Sequence, residues 1–387
     1  MTANDSPAVP GAALLPVYAL MPVRPVRGHG SWLVDDQGSE WLDAYGGHAV
    51  ASTGHSHPEV VQAIADQAAR LLFYSAAVAH PLRGELADRL VSLCPPPLAQ
   101  VFFCNSGAEA NENALALARK RTGRRNIVSV RGGWHGRTPG VLACTDGDRY
   151  EEAAKRTGIP LSTKVPFNDV AALEAVVDGS VAAVIVEPVQ GIQGARDCSK
   201  EFLEGARAIC TRAGAALIFD EIQCGVGRCG AFTAAAAFGV TPDAITLAKG
   251  LAAGLPVGAV VINPWLAEGL AIGDLGSTFG GGPVVCAAAL ANLRVIERER
   301  LIDNANEIGA YLRDGALGLG VPAVQGRGLL IGLRLGRPAA QVQQALFAHR
   351  IITGTSADPE VLRLMPPLSF SRAEADLLLT ALSKVLS

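Results

Sequence analysis

From about residue 100 the chain alternates short unbroken apolar runs with longer amphipathic stretches. The runs at 101–104, 126–130, 181–186, 215–219, 244–248 and 257–262 are rich in Val, Ile, Ala and Phe and lack a strict apolar–polar alternation. That pattern predicts strands buried on both faces of a sheet. Helical patterning lies between several of them, as at 108–121 and 200–213, which predicts an α/β protein with a mainly parallel sheet and helices on both sides. Ahead of this region, residues 1–20 read as an irregular arm. Residues 23–45 read as a strand pair, with Asp36-Gln-Gly38 as its hairpin turn. Helical patterning follows at 58–72 and 80–93, with prolines across 95–97 as a breaker. Beyond Gly280 a helix over 283–299 leads into a smaller α+β region, 300–387, with strands near 328–335 and 361–365. The expected division is an arm and hairpin at 1–45 that joins the small domain, a large domain at 46–282, and a linking helix with the C-terminal small domain at 283–387.

Composition narrows the function classes. At 387 residues, 49% of them hydrophobic, the chain can bury a large core. The net charge is −3 with no basic block, so neither nucleic acid nor an anionic membrane is an expected partner. No apolar run reaches the length of a membrane span. Residues 1–16 lack the basic start of a signal peptide, and the eight cysteines form no Cys-x-x-Cys pair. A cytoplasmic protein with small buried thiols is the expectation; disulfides and zinc are not.

The candidate chemistry gathers around Lys249, which ends the apolar run at 244–248 and is followed by the turn residues Gly250, Gly254 and Pro256. Burial disfavours the charged form of an amine, and a neutral amine can attack a carbonyl. The alternative is a lysine that snorkels from the sheet edge. Asp220 ends the preceding predicted strand, so the two can face one pocket at the carboxyl ends of the sheet; the alternative is an ion pair without a ligand. A buried carboxylate there can keep a heteroaromatic nitrogen protonated. Asn105-Ser-Gly-Ala-Glu-Ala-Asn111 joins a strand to a helix, and the free N–H groups of such a start bind phosphate; plain capping by Asn105 or Ser106 is the other reading. In Arg131-Gly-Gly-Trp-His-Gly-Arg137, Trp134 can stack on a flat ring and Arg137 can hold a carboxylate in a fork, or the segment is a surface loop. Glu187 and Glu221 also stand at or next to strand ends. Gly225-Val-Gly-Arg-Cys-Gly230 matches a dinucleotide-binding pattern, but it follows its strand only after an intervening Glu221-Ile-Gln-Cys224 and precedes too short a helix. His55 and His57 suggest no third metal ligand.

Together and in order, Asn105-Ser-Gly-Ala-Glu-Ala-Asn111, Trp134-His-Gly-Arg137, Glu187-Pro-Val-Gln-Gly191, Asp220-Glu-Ile-Gln223, Lys249 and Gly276-Ser-Thr-Phe-Gly-Gly281 resemble the class III aminotransferases of pyridoxal-phosphate fold type I. The resemblance runs from Pro16-Val-Tyr18 to Arg363, and Pro25-Val-Arg-Gly28 is most similar to the acetylornithine and succinylornithine branch. It implies a large domain with a mainly parallel seven-stranded sheet and a smaller α+β domain. It implies pyridoxal 5′-phosphate joined to Lys249 as a Schiff base, with Asp220 on the ring nitrogen, Trp134 on the ring face and Gln223 by the phenolic oxygen. Glu221 and Ile222 would lie in the same cofactor-binding stretch, and Ser106, Gly107 and Ala108 would cradle the phosphate. Thr278 would reach the phosphate of a neighbouring subunit in a homodimer with shared active sites. Arg137, Ser277 and Arg363 would contact substrate. The implied reaction moves the terminal amino group of N-acetylornithine, or a similar acylated diamino acid, to 2-oxoglutarate, giving a semialdehyde and glutamate.

One departure stands out. Relatives usually carry Gln-Gly-Glu where this chain has Gln190-Gly-Ile192, and that Glu pairs with the arginine matching Arg363. Without it, Arg363 is expected either to stay open to a carboxylate or to be held by another group, such as Gln193 or a backbone carbonyl. The departure leaves other donors open: succinylornithine, ornithine, 4-aminobutyrate or an acylated lysine-pathway intermediate. An aminomutase or decarboxylase on the same scaffold, and a non-catalytic binding protein, are the remaining alternatives.

Overall fold

The computed structural model describes residues 13–387. Of the expected N-terminal arm, residues 1–12 lie outside the described residues, and 13–20 form no helix or strand.

A seven-stranded sheet carries the large region, in the order Gln100–Cys104, Gly258–Ile262, Ala244–Leu247, Ala216–Asp220, Val181–Val186, Asn126–Val130 and Thr163–Val165. Gly258–Ile262 runs antiparallel to both neighbours, and the other pairings are parallel. The apolar runs have the physical meaning expected of them. All six residues of Val181–Val186 and all five of Ala216–Asp220 are buried, because helices cover both faces. The covering helices are delimited locally. Ser106 caps Gly107–Thr122 by accepting from the Glu109 N–H at 3.1 Å, and Gly123 ends it at φ +69°. Ser199 and Gly214 bound Lys200–Ala213 in the same way.

The expected strand pair near the N-terminus is a three-stranded meander, Pro25–His29, Trp32–Asp35 and Glu40–Asp43. Asp35 organises its second turn by accepting from the Gln37 and Ser39 N–H groups and from the Trp41 indole. The last strand of the meander pairs in parallel with Ile351–Ile352, which ties residues 25–43 to the C-terminal region. That region holds a four-stranded sheet of Ala323–Arg327, Leu330–Arg334, Val361–Leu364 and Gly354–Thr355. Helices Leu301–Gly318, Ala339–Ala348 and Arg372–Leu386 pack beside it, and the buried helix Pro283–Arg298 precedes it.

The Gly225–Gly230 stretch, His55 and His57 each have partners within the protein. The Gly225–Gly230 stretch is a turn that buries Arg228, whose Nη1 donates to the carbonyls of Leu329 and Pro366. His55 Nε2 lies 2.8 Å from Asp43 Oδ2, and His57 meets Glu299 at 3.4 Å. Among the described residues no cluster suits a metal ion, and all eight cysteines are free and buried.

Candidate active site

The carboxyl ends of the parallel strands open into a cavity of about 660 Å³ that reaches across to Val361–Leu364 of the small sheet. Asp220 and Lys249 enter it from neighbouring strands, since Asp220 pairs in register with Thr246. Asp220 is buried. Its Oδ2 accepts from Asn111 Nδ2 at 2.7 Å and lies 2.8 Å from His135 Nδ1, while Oδ1 accepts from the Ile222 N–H at 3.1 Å. Asn111 is itself fixed, donating to the His135 carbonyl and accepting from the Thr246 hydroxyl at 2.7 Å. A carboxylate so supplied with donors is held in one orientation facing the cavity.

Lys249 is the second residue past strand Ala244–Leu247 and sits at φ +28°, a conformation that L residues rarely adopt. Its Nζ makes no hydrogen bond to a described residue. Burial is the main force pushing its ammonium below the ordinary lysine value; Asp220 and Glu187 pull it back, and the Arg363 charge adds to the depression. An amine in this position carries an available lone pair more readily than a surface lysine.

The helix start Ser106-Gly107-Ala108 forms one wall. Gly107 is required there, because a Cβ would lie 2.8 Å from the Ile222 side chain. The opposite wall carries Trp134, whose indole meets the Tyr150 ring edge-on at 4.8 Å. The Arg137 guanidinium lies over both rings, 5.2 Å and 5.7 Å from their centroids, and is otherwise exposed to the cavity. Glu187 closes the floor, accepting from the Trp134 and Gly191 N–H groups. Burial first, and the Asp220 charge second, push its carboxyl up.

Of the residues singled out from sequence, Ser106, Gly107, Ala108, Trp134, Arg137, Asp220, Ile222, Gln223, Lys249 and Arg363 line this one cavity. Glu221 is not among the residues that line it. It points to the other face of the strand end, where its carboxylate accepts from the Ala234 and Ala235 N–H groups at the start of helix Ala234–Phe238. Ser277 stands behind the wall, its hydroxyl accepting from Asn105 Nδ2 at 3.1 Å. Thr278 is exposed on the loop before Gly280, outside its own chain's cavity.

Arg363 is buried and held by neutral acceptors. Nε donates to the Thr355 carbonyl at 2.7 Å, Nη1 to the Gly191 carbonyl at 3.2 Å and Nη2 to the Tyr45 hydroxyl at 2.9 Å. Of the two groups named beforehand, backbone carbonyls serve, whereas Gln193 packs toward Gly132 instead. Ile192 lines the cavity where an acid would have faced this cation. Reading by motif missed Tyr45, His48, Asn111, Tyr150 and Thr246. Asn111 alone had a signal, as the last residue of the Asn105–Asn111 motif one helical turn beyond the Gly107 cradle.

Residues 16–386 match the family model described as Aminotransferase class-III. The chain is 45% identical over 369 residues to an acetylornithine aminotransferase of Streptomyces coelicolor, covering 93% of this chain and 90% of that one. Its fold superposes on an ornithine aminotransferase from Toxoplasma gondii with TM-score 0.90 at 31% identity, covering 97% and 92% of the two chains. An N-acetylornithine aminotransferase from Stenotrophomonas maltophilia gives TM-score 0.81 at 33% identity, covering 94% and 95%.

Proposed function

The chain belongs to the class-III aminotransferases, enzymes that work through pyridoxal phosphate, and from that premise we propose that it moves the terminal amino group of N-acetylornithine, or a closely similar acylated diamino acid, to 2-oxoglutarate. The observation that carries the reading is the pairing of Asp220 and Lys249 on adjacent strand ends, with Arg137 and Arg363 in the same cavity.

The residues present fit the cofactor. An open helix start suits a phosphate, a buried acid with fixed orientation suits a protonated ring nitrogen, and an indole suits a ring face. Ser106, Gly107 and Ala108 would hold the phosphate, Asp220 the ring nitrogen, and Trp134 the ring. Ile222 and Gln223 would complete the ring's surroundings. Bound there, pyridoxal phosphate supplies a carbon that accepts an amino group and a ring that stores the electrons of a broken C–H bond. Lys249 Nζ would anchor the group and, as a neutral amine, would take the proton from the substrate carbon as base and return it as acid. Asn111 and His135 keep Asp220 aimed while this happens. Arg137, cradled on Trp134 and Tyr150, would hold the carboxylate remote from the reacting carbon, and Ser277 would reach substrate through Asn105.

We read the working unit as a homodimer in which Thr278 serves the neighbouring site. What supports this is the exposed loop around Thr278, with Ile272 and Phe279 open to solvent and the Phe279 ring 5.0 Å from that of exposed Phe73. Among the described residues no helix is long and apolar enough to cross a membrane, and we place the reaction in the cytoplasm.

The test is a half-reaction screen that follows loss of the cofactor's lysine-bound absorbance with N-acetylornithine, N-succinylornithine, ornithine and 4-aminobutyrate. The expected result is a kcat/KM for N-acetylornithine at least about tenfold above that for 4-aminobutyrate, a difference of roughly 1.4 kcal/mol in barrier. Equal values for the two would overturn the donor assignment, and no uptake of pyridoxal phosphate would overturn the enzyme.

A further inference from the structure

One titratable side chain that lines the cavity has no task in the mechanism above. His48 lies in the turn after Glu40–Asp43, at φ +68°, and Ala49 follows at φ +65°. Two consecutive non-glycine residues in the left-handed region are uncommon, and such strain persists only where the surroundings over-determine it. Here they do. Asp43 Oδ1 accepts from the Tyr45 and Gly46 N–H groups at 2.9 and 2.8 Å, and the Gly46 carbonyl accepts from Val50 and Ala51. Gly46 presses so closely on the Met365 carbonyl that a Cβ would come within 2.7 Å.

That scaffold presents His48 edge-on to the Tyr45 ring, with centroids 4.7 Å apart. The same phenol has the Arg363 guanidinium carbon 5.5 Å from its centroid and takes the Arg363 Nη2 hydrogen bond on its hydroxyl. His48 and Arg363 therefore flank one buried tyrosine. Neither ring nitrogen of His48 hydrogen-bonds a described residue. Arg363 has five N–H donors, of which the three bonds given above use one each, so two remain; no described carboxylate pairs with it. A fixed guanidinium with two spare donors beside an unpartnered imidazole is a site for an anion with two oxygens.

We propose that His48 is a specificity-determining residue, forming with Arg363 a two-sided clasp in which the imidazole N–H and the spare guanidinium N–H groups share one substrate carboxylate. The groups facing His48 are Arg363 from the small sheet, Lys249 from the large one and Asp43 from the meander. Burial, then the two cations, push the imidazole below its ordinary value, with Asp43 pulling the other way. A neutral imidazole still offers one N–H, so the clasp does not depend on a second fixed charge. Tyr45, whose phenol burial pushes up, positions both partners. The clasp deepens the aminotransferase reading and rests on it for the identity of the acid, 2-oxoglutarate or glutamate.

The experiment titrates the cofactor-loaded enzyme with glutarate, which has two carboxylates and nothing to transfer. His48→Gly and His48→Asn both tolerate the left-handed backbone, so they differ in the donor and not in the strain. Losing a hydrogen bond to a charged group should raise the glutarate Kd about tenfold in His48→Gly, with His48→Asn within about threefold of the parent. The KM for 2-oxoglutarate should follow, with kcat changed less than about twofold. In an Arg363→Gln background the glycine substitution should add less than about twofold, because the carboxylate no longer seats there. Unchanged glutarate affinity in His48→Gly, an asparagine variant as weak as the glycine one, or a tenfold loss that persists without Arg363 would each overturn the clasp. A parent enzyme that binds glutarate but cannot convert 2-oxoglutarate would overturn the proposed reaction and leave the clasp standing.

Discussion

At the scale of single residues the site turns on which charges are neutralised and which are only held. Asp220 is oriented by neutral donors and an imidazole, and Arg363 is oriented entirely by neutral acceptors. No described carboxylate pairs with Arg363, which keeps its charge available to a ligand. Ile192 is central to this. It stands beside Gly191, whose carbonyl takes one Arg363 N–H, and its side chain faces the cavity. In Ile192→Glu a carboxylate would sit against the guanidinium and compete for its spare donors. The expected outcome is a rise of about tenfold in KM for glutamate, the size of one charge-assisted hydrogen bond pair, with the N-acetylornithine half-reaction changed less. Parallel stopped-flow half-reactions check it, and the absence of change in both would remove Ile192 from the account. Lys249→Ala is a blunter test: kcat should fall by on the order of 10³ or more, with loss of the proton carrier and of the covalent anchor together. Borohydride should then fail to fix the cofactor on the chain.

At the scale of elements, the strands and the helix that make the cradle were legible because their signals are local. Six apolar runs and Ser106 before its helix are patterns a few residues long, and the structure reproduces them within about two residues. The antiparallel direction of Gly258–Ile262 was not legible, since a strand buried on both faces reads the same either way. Nor was the N-terminal strand Pro25–His29, which is mostly exposed and lacks an apolar face. The short strand Thr163–Val165 at the sheet edge and helix Asp148–Lys155 offered too few apolar residues to register. Motif reading found residues that touch the cavity and overlooked those that aim them. Asn111 illustrates the gap: its amide spans Asp220, His135 and Thr246, contacts set by three separate elements. Asn111→Ala should therefore act on two observables. It removes a donor from a buried carboxylate, which costs roughly 1.5–3 kcal/mol, read as a lower denaturation midpoint of the cofactor-free protein. It should also weaken pyridoxal phosphate binding in an absorbance titration, because Asp220 loses its fixed direction. Lower stability with unchanged cofactor affinity would reduce Asn111 to a packing residue.

At the scale of the whole molecule, the cavity lies where two regions meet. Asp220 and Lys249 come from the large sheet, Arg363 from the small one, and His48, packed on Tyr45, from the segment that follows the N-terminal meander. Pairing of Glu40–Asp43 with Ile351–Ile352 locks that meander to the small sheet, so the clasp around Tyr45 is built from chain ends more than 300 residues apart and is assembled only in the complete fold. Away from the cavity lining, an apolar face stays uncovered in a single chain. Leu71, Leu72, Phe73, Tyr74, Ile272 and Phe279 are exposed, an apolar set that a lone globular chain does not ordinarily leave to water. Thr278 sits among them with no role in its own cavity. If a second copy covers this face, then charges placed on it should separate the copies and disable both sites together. The double variant Ile272→Asp, Phe279→Asp is expected to sediment as a monomer at micromolar concentration. Its circular dichroism should match the parent, because neither side chain contributes to the core. Its kcat should fall at least about a hundredfold, roughly 2.7 kcal/mol of barrier, and its pyridoxal phosphate should dissociate more readily once the neighbouring Thr278 is gone. A monomer that keeps full activity would confine the whole site to one chain, and a variant that remains dimeric would place the contact between copies on another face.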